Sequence, residues 1–334
     1  MRYLIIGAGA VGGAIGARLA EAGQDVVLVA RGAQYGALRE RGLRFEAPDG
    51  VHVHRLPVAD GPGALGTLRA DDVLVLCVKT QDSAAALAAW GAAPVEGGGT
   101  AAARLPLVCA QNGVESERLA LRTFQRVYAM CVWLPATFVE PGVVRAAGAP
   151  LTGILHLGRY PAGSDDTARA ISADLERGRF AAPVVDDVMR WKYAKLLANL
   201  ANAVEAVSGV LTDEDGIALF RRARAEGEAV LAAAGIAYTG RDEEKKVRAD
   251  RITFEPFDGS PRGGGSTWQS LDRGAGSVEV DYLNGEIGLL GRLHGVPTPV
   301  NDVLQERANE AARLRRPAGA TPIAELVAAV DARA

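Results

Sequence analysis

The chain has 334 residues, with 37 lysines and arginines against 40 acidic residues and a formal net charge of −3. That length supports two domains with separate cores, and the charge gives no electrostatic case for nucleic acid or an anionic membrane surface as a partner. Hydrophobic residues make up 49% and charged residues 23%, the balance of an ordinary globular protein. Cys77, Cys109 and Cys131 are widely spaced and lack CxxC spacing, which argues against a disulfide framework or a zinc site and predicts buried thiols in the cytoplasm. No secretion signal is expected at the N-terminus, and no apolar run reaches the ~20 residues of a membrane span. His52, His54, His156 and His294 form no metal-ligand pattern, so no metal is expected.

Arg2 to Ile6 reads as a short apolar strand. It runs into Gly7-Ala8-Gly9-Ala10-Val11-Gly12-Gly13 and then a helix over Ile15 to Ala22. This is GxGxxG in the context that gives it meaning: strand, glycine turn, helix N-terminus. Gly7 permits the tight turn, Gly9 lets backbone approach a pyrophosphate, and Gly12 allows the helix to pack closely on the strand. The helix N-terminus supplies N–H groups for the diphosphate. A second strand, Asp25 to Ala30, ends in Arg31, where an NAD-binding domain commonly carries an acid for the ribose 2′-hydroxyl. A guanidinium there suits a 2′-phosphate, which predicts NADP(H), a solvent-facing loop arginine being the plain alternative.

Leu43 to His54 reads as a hairpin about Asp49-Gly50. Asp72 to Val78 is a buried strand ending in Lys79-Thr80-Gln81, with a helix to Trp90 beyond. Lys79, at a strand's carboxyl end, is a candidate contact for cofactor or substrate carboxylate; an exposed lysine accounts for it equally. Gly91 to Arg104 reads as a flexible loop. Leu105 to Ala110 is another strand, ending in Gln111-Asn112-Gly113. Asn112 could bridge the nicotinamide ribose or a substrate oxygen, though Asn-Gly is also a turn signal. Strands over 126–133, 136–144 and 153–157 follow, then a helix over 165–175 and a strand over 182–185.

From Asp186 onward helical periodicity dominates, which places a domain boundary between residues 185 and 186. The first helix of this half, Trp191 to Asn202, sets Lys195, Asn199 and Asn202 at i, i+4 and i+7, so one face carries an ammonium and two amides. Such a row either faces water or, if buried, needs partners. Helices over 217–234 and 241–251 follow, then a Gly/Pro-rich loop over 252–265 expected to be mobile. A further helix opens within Gly276 to Gly285, with Glu279 in its first turn, and stops at Gly295. Another spans 300–314. Thr321 caps the last one, with Pro322 as its first residue.

Taken in order, the glycine turn, Arg31, Lys79, Gln111-Asn112-Gly113, Lys195-Leu196-Leu197-Ala198-Asn199 and Glu279-Val280-Asp281-Tyr282-Leu283-Asn284-Gly285 resemble the ketopantoate reductase (2-dehydropantoate 2-reductase) family over nearly the whole chain. The resemblance implies an α/β fold: an N-terminal Rossmann domain over 1–185 and an all-helical C-terminal domain over 186–334, with a cleft between them. It implies NADPH-dependent reduction of a 2-oxo acid, ketopantoate to pantoate in pantothenate and coenzyme A biosynthesis. Another 2-oxo acid, an imine, or a non-catalytic NADP(H) sensor are the rival readings. The implied catalytic residues are Lys195, Glu279 and Asn112. Asn199, Asn202 and Ser266 are implied for substrate. Gly7, Ala8, Gly9, Ala10, Val11, Gly12, Arg31, Lys79, Asn112 and Glu279 are implied for cofactor. Asn202 lies one place short of the family's second asparagine, and one extra residue falls between Gln269 and Glu279. The apolar closing helices would suit a homodimer contact as well as a core.

Overall fold

Four consecutive apolar or β-favouring residues after Arg2 make β1 (Arg2–Ile6), and the glycine turn leads straight into α1 (Ala10–Glu21). The computed structural model describes residues 1–209, 211–255, 257 and 264–333. In chain order, β2 (Asp25–Val29), α2 (Gly32–Arg41), β3 (Leu43–Ala47), β4 (Gly50–His54), β5 (Val58–Ala59) and β6 (Asp72–Leu76) come next. They are followed by α3 (Ser83–Gly91), α4 (Ala101–Arg104), β7 (Leu107–Cys109), α5 (Ser116–Leu121), β8 (Val127–Trp133), β9 (Ala136–Glu140), β10 (Val143–Ala146), β11 (Gly148–Pro150), β12 (Gly153–Arg159), α6 (Asp166–Arg177) and β13 (Phe180–Ala181).

Eight of these strands form one sheet in the order β13-β12-β8-β7-β6-β1-β2-β5. From β8 to β5 every pairing is parallel, while β12 runs antiparallel to β8. The chain leaves β1 towards β2 and later returns to the other side of β1 with β6. That reversal opens a ligand crevice at the carboxyl ends of β1 and β6, as in other doubly wound sheets. The residues of β1 and β6 are buried on both faces, which explains their unbroken apolar runs.

A second sheet, β4-β3-β10-β9, contains the expected hairpin, with Leu43 opposite His54 and Ala47 opposite Gly50. α1 packs against both sheets through small residues. A methyl at Gly16 would stand 2.8 Å from Leu28 Cδ2, and one at Gly13 would stand 2.8 Å from Val144 Cγ2. Arg18 is buried in this layer, donating to Thr152 Oγ1 at 2.8 Å and to both carboxylate oxygens of Asp49 at 2.6 and 2.9 Å. A charge on this helix is therefore fully paired, and it ties the hairpin turn to α1.

The chain divides into two compact units, Met1–Lys192 with Gly240–Ser260, and Tyr193–Thr239 with Pro261–Ala334. A single break after residue 185 does not describe this. β14 (Ile252–Phe254) pairs antiparallel with β11, and Arg190 donates to Glu243 of α10 (Arg241–Arg248) at 3.3 Å, so this later segment belongs to the first unit. The expected mobile loop thus begins with a strand; residues 256 and 258–263 of it lie outside the described residues.

The second unit has helices and no strand among its described residues. α7 (Val188–Asn199) carries the chain into it. α8 (Ala201–Ser208), α9 (Glu214–Ala233), α11 (Ser266–Asp272), α12 (Asn284–His294), α13 (Pro299–Arg313) and α14 (Ile323–Asp331) complete it. The predicted continuous helix to Asn202 is broken at Leu200, whose carbonyl meets the Asn284 amide at 3.5 Å. Close packing is again bought with glycine: a methyl at Gly227 of α9 would stand 2.6 Å from Leu197 Cδ2. Glu226 accepts from the N–H groups of Val300 and Asn301 at 2.8 and 3.0 Å, capping α13 from a neighbouring helix. Gly295 closes α12 in the left-handed region (φ 69°), as its position predicts.

Other local expectations shift. The loop over 91–104 contains α4 and a bridge between Pro94 and Thr100. The strand expected over 182–185 is β13, with only a bridge from Val184 to Leu157 beyond it. Pro322 itself is the cap of α14. Among the described residues no helix is long and apolar enough to cross a membrane.

Candidate functional site

The first group of candidate residues gathers at the carboxyl ends of β2, β1, β6 and β7, which are neighbours in that order. The Gly7 and Ala8 N–H groups donate to the Val29 carbonyl at 3.1 and 2.9 Å, so the turn is bonded to the end of β2. Gly7 has φ 103°, and a methyl there would stand 2.7 Å from the Val78 nitrogen. The turn after β1 therefore lies on the chain leaving β6, and only glycine permits it. A methyl at Gly12 would overlap the Gly7 carbonyl oxygen and stand 2.9 Å from Ile5 Cγ2. At Gly9, by contrast, a methyl would meet nothing within 4 Å. Space above Gly9, close packing at Gly12 and no acid in the first turn of α1 are what a pyrophosphate on this helix N-terminus requires. Ala10 and Val11 form that first turn. Arg31 is exposed at the N-cap of α2, and Lys79 is half-buried just beyond β6.

Gln34 is a residue that sequence reasoning missed. Its Nε2 donates to the Ala8 carbonyl at 2.7 Å and its Oε1 accepts from Gly142 N at 2.7 Å, so it pins the glycine turn to the turn between β9 and β10. Nothing local in the sequence signals a contact across 108 residues.

Asn112 is half-buried in the turn after β7. Beneath it lies an ion pair that was also missed. Lys192 of α7 and Glu117 of α5 are 2% and 0% exposed and bond directly. Lys192 Nζ also donates to the Gln111 carbonyl at 3.0 Å. Burial pushes the Glu117 carboxyl above the usual carboxylate range, and the Lys192 ammonium pulls it back down. The available signal was a second lysine one turn before Lys195 in an otherwise apolar helix.

The second group sits in the helical unit. Lys195 and Asn199 are one turn apart on α7. Asn199 is 7% exposed, and its buried Nδ2 has no hydrogen-bond partner among the described residues. Asn202 falls on α8, where its Nδ2 lies 3.4 Å from Ser266 Oγ at the start of α11. A methyl at Gly265 would stand 2.9 Å from the Asn202 side-chain carbon Cγ, so glycine is what lets these two helices meet. Gly265 N donates to Glu205 Oε2 at 3.0 Å and holds the junction. Glu279 is half-buried and opens a 3₁₀ turn, Glu279–Tyr282, rather than the α-helix itself, which begins at Asn284. An unsatisfied buried amide nitrogen is expensive, and Asn199 carries one on the same helix as Lys195. Among the described residues no group of His, Cys, Asp and Glu is arranged to hold a metal ion.

Comparison with known proteins matches two successive stretches of the chain. A family model described as ketopantoate reductase PanE/ApbA matches residues 3–162, and its C-terminal counterpart matches residues 187–312. A 2-dehydropantoate 2-reductase of Caulobacter vibrioides is 30% identical over 315 residues, covering 92% of this chain and 98% of the relative. The crystal structure of a PanE/ApbA family ketopantoate reductase from Ralstonia eutropha JMP134 superposes with a TM-score of 0.77 at 28% identity, covering 95% of this chain and all of that one. D-mandelate dehydrogenase in ternary complex with NADH and anilino(oxo)acetate also superposes with a TM-score of 0.77, at 20% identity, with 95% of this chain and all of that one covered; this shows a shared fold.

Proposed function

Because the chain belongs to the ketopantoate reductase family, we propose that it reduces the ketone of a 2-oxo acid with NADPH, the substrate being 2-dehydropantoate and the product pantoate. The observation that carries the reading is the buried, unpartnered Asn199 amide one turn from Lys195, in a chain that also opens with a fitted glycine turn. The N–H groups at the start of α1 would hold the pyrophosphate, and Arg31 the 2′-phosphate. Lys79 and Asn112 would line the path to the nicotinamide end. When bound, the reduced nicotinamide supplies the hydride.

The remaining chemistry belongs to the chain. As the carbonyl carbon becomes tetrahedral its oxygen gains charge, and the Lys195 ammonium stabilises that oxygen and gives it a proton. Glu279 would help to orient the lysine. Asn199 donates to a substrate oxygen, and Ser266 and Asn202 hold the carboxylate. Cys77, Cys109 and Cys131 form no disulfide among the described residues, which fits a reducing compartment, and a cytoplasmic place in pantothenate biosynthesis is part of the same proposal.

The test is oxidation of NADPH, followed by its absorbance, with 2-dehydropantoate against a panel of other 2-oxo acids, including one with an aryl side chain, repeated with NADH. The expected result is fastest turnover of 2-dehydropantoate with NADPH. A panel in which every 2-oxo acid is inert refutes the activity. A panel led by another acid replaces the substrate.

A further inference from the structure

The Lys192–Glu117 pair sits where stability alone gives little reason for it. Moving two charges out of water is expensive, and apolar residues of similar volume often stabilise a core as well or better. This pair does something an apolar contact cannot. One ammonium bonds both to the Glu117 carboxylate and to the carbonyl of Gln111 at 3.0 Å. Those groups are the two ends of one short segment, from the exit of β7 to the first turn of α5. Asn112 lies between them, beside Gly113 at φ 77°. The Gln111 side chain is held as well, its Nε2 donating to Ser83 Oγ at 2.9 Å. The peptide plane preceding Asn112 is thus fixed from the side chain and from the backbone.

We propose that the Lys192–Glu117 pair is a positioning device that sets the direction of the Asn112 amide at the carboxyl end of β7, and through it the nicotinamide end of the cofactor. The inference rests on the role given to Asn112 above. Lys192 and Glu117 touch neither substrate nor cofactor in this account; they act through the turn. An ammonium suits the task because it carries three donors on one atom and can serve a backbone carbonyl and a carboxylate together.

The experiment is a mutant cycle on the full-length protein: Lys192→Met/Glu117→Leu, Asn112→Ala, and the three changes combined. Thermal unfolding, kcat, KM and the NADPH dissociation constant are read for each. Removing both charges together leaves no lone buried ion, so the pair variant is expected to melt no lower than the wild type. Its kcat is expected to fall roughly tenfold to a hundredfold, the scale of a misplacement of about 1 Å. Added to Asn112→Ala, the pair changes are expected to cost little more, because both act on one contact. Wild-type kcat in the pair variant, or losses that multiply in full when combined, overturns the proposal. Should the pair variant fold poorly, Lys192→Met/Glu117→Gln, which also leaves no buried ion and removes the bond to the Gln111 carbonyl, carries the same cycle. A wild type inert towards every 2-oxo acid would refute the activity and leave this inference to the NADPH dissociation constants. Coupled losses there uphold it, and independent losses or none overturn it.

Discussion

Two glycines within six residues of the end of β1 make opposite demands, and alanine at each separates packing from ligand approach. A methyl at Gly12 overlaps the Gly7 carbonyl oxygen and stands 2.9 Å from Ile5 Cγ2 and 3.0 Å from Cys77 Cβ. Backbone and strand atoms cannot step aside cheaply, so Gly12→Ala should destabilise by about 1–3 kcal/mol, the usual range for over-packing. At ~2–4 °C per kcal/mol for a domain of this size, the melting temperature should fall by roughly 2–12 °C. A methyl at Gly9 meets nothing within 4 Å, and the Gly9 backbone (φ −87°, ψ −151°) is one that alanine adopts readily. Gly9→Ala should therefore melt as the wild type does. It should nonetheless weaken NADPH by roughly 10–100-fold, equivalent to about 1.4–2.8 kcal/mol, because the methyl occupies the space reserved for the pyrophosphate. Thermal unfolding and fluorescence titration with NADPH read both effects on the same samples. A Gly9→Ala protein that binds NADPH like the wild type would show that the open space above this residue is not where the diphosphate sits.

Lys195→Ala is expected to lower kcat by two orders of magnitude or more while NADPH binding survives in titration; unchanged turnover removes Lys195 from the chemistry. Arg31→Ser should raise KM for NADPH by roughly tenfold, the loss of a charge-assisted bond, with KM for NADH little altered; equal effects on both would assign Arg31 to something other than the 2′-phosphate. His156 is 1% exposed and stacked on Trp191 at 3.9 Å, with both ring nitrogens lacking hydrogen-bond partners among the described residues. Burial first, then the charges of Arg251 and Arg248, bring its pKa down from 6.5 to about 4. Because the folded value is depressed, the unfolded chain binds the extra proton between these values. The contribution is intact above pH 6.5 and is lost as pH falls towards 4, by about 3 kcal/mol at about 1.4 kcal/mol per pH unit. Urea titrations across that range should show the slope, and His156→Phe should flatten it; a variant that keeps the slope assigns it to another group.

What could be read from the chain follows the range of the interactions. The glycine turn declares itself because strand, turn and helix N-terminus are contiguous, and each glycine answers a steric demand within a few residues or across one strand. The row Lys195, Asn199 and Asn202 was visible as a helical stripe. Its last member nevertheless lies beyond a one-residue interruption at Leu200, whose carbonyl meets Asn284, 84 residues away. Lys192 and Glu117 are 75 residues apart, and the lysine's place in a largely apolar helix does not point to its partner. The helix over 241–248 reads as a solvated charged stretch. One of its tertiary contacts is an arginine lying on an aromatic face, Arg248 at 3.4 Å from the Trp133 ring, which leaves no trace in hydrophobic periodicity.

The return of residues 240–260 to the first unit makes the chain pass from one unit to the other at 192/193, 239/240 and 260/261. The two halves are therefore not interchangeable cassettes. A fragment ending at Lys192 would leave β11 without its antiparallel neighbour and Trp133 without its guanidinium cover. A graft that exchanged everything after that point for a relative's sequence would replace part of the nucleotide-binding half along with the helical one. Chimeras meant to move substrate preference alone must keep the native 240–260 insert and trade only what flanks it.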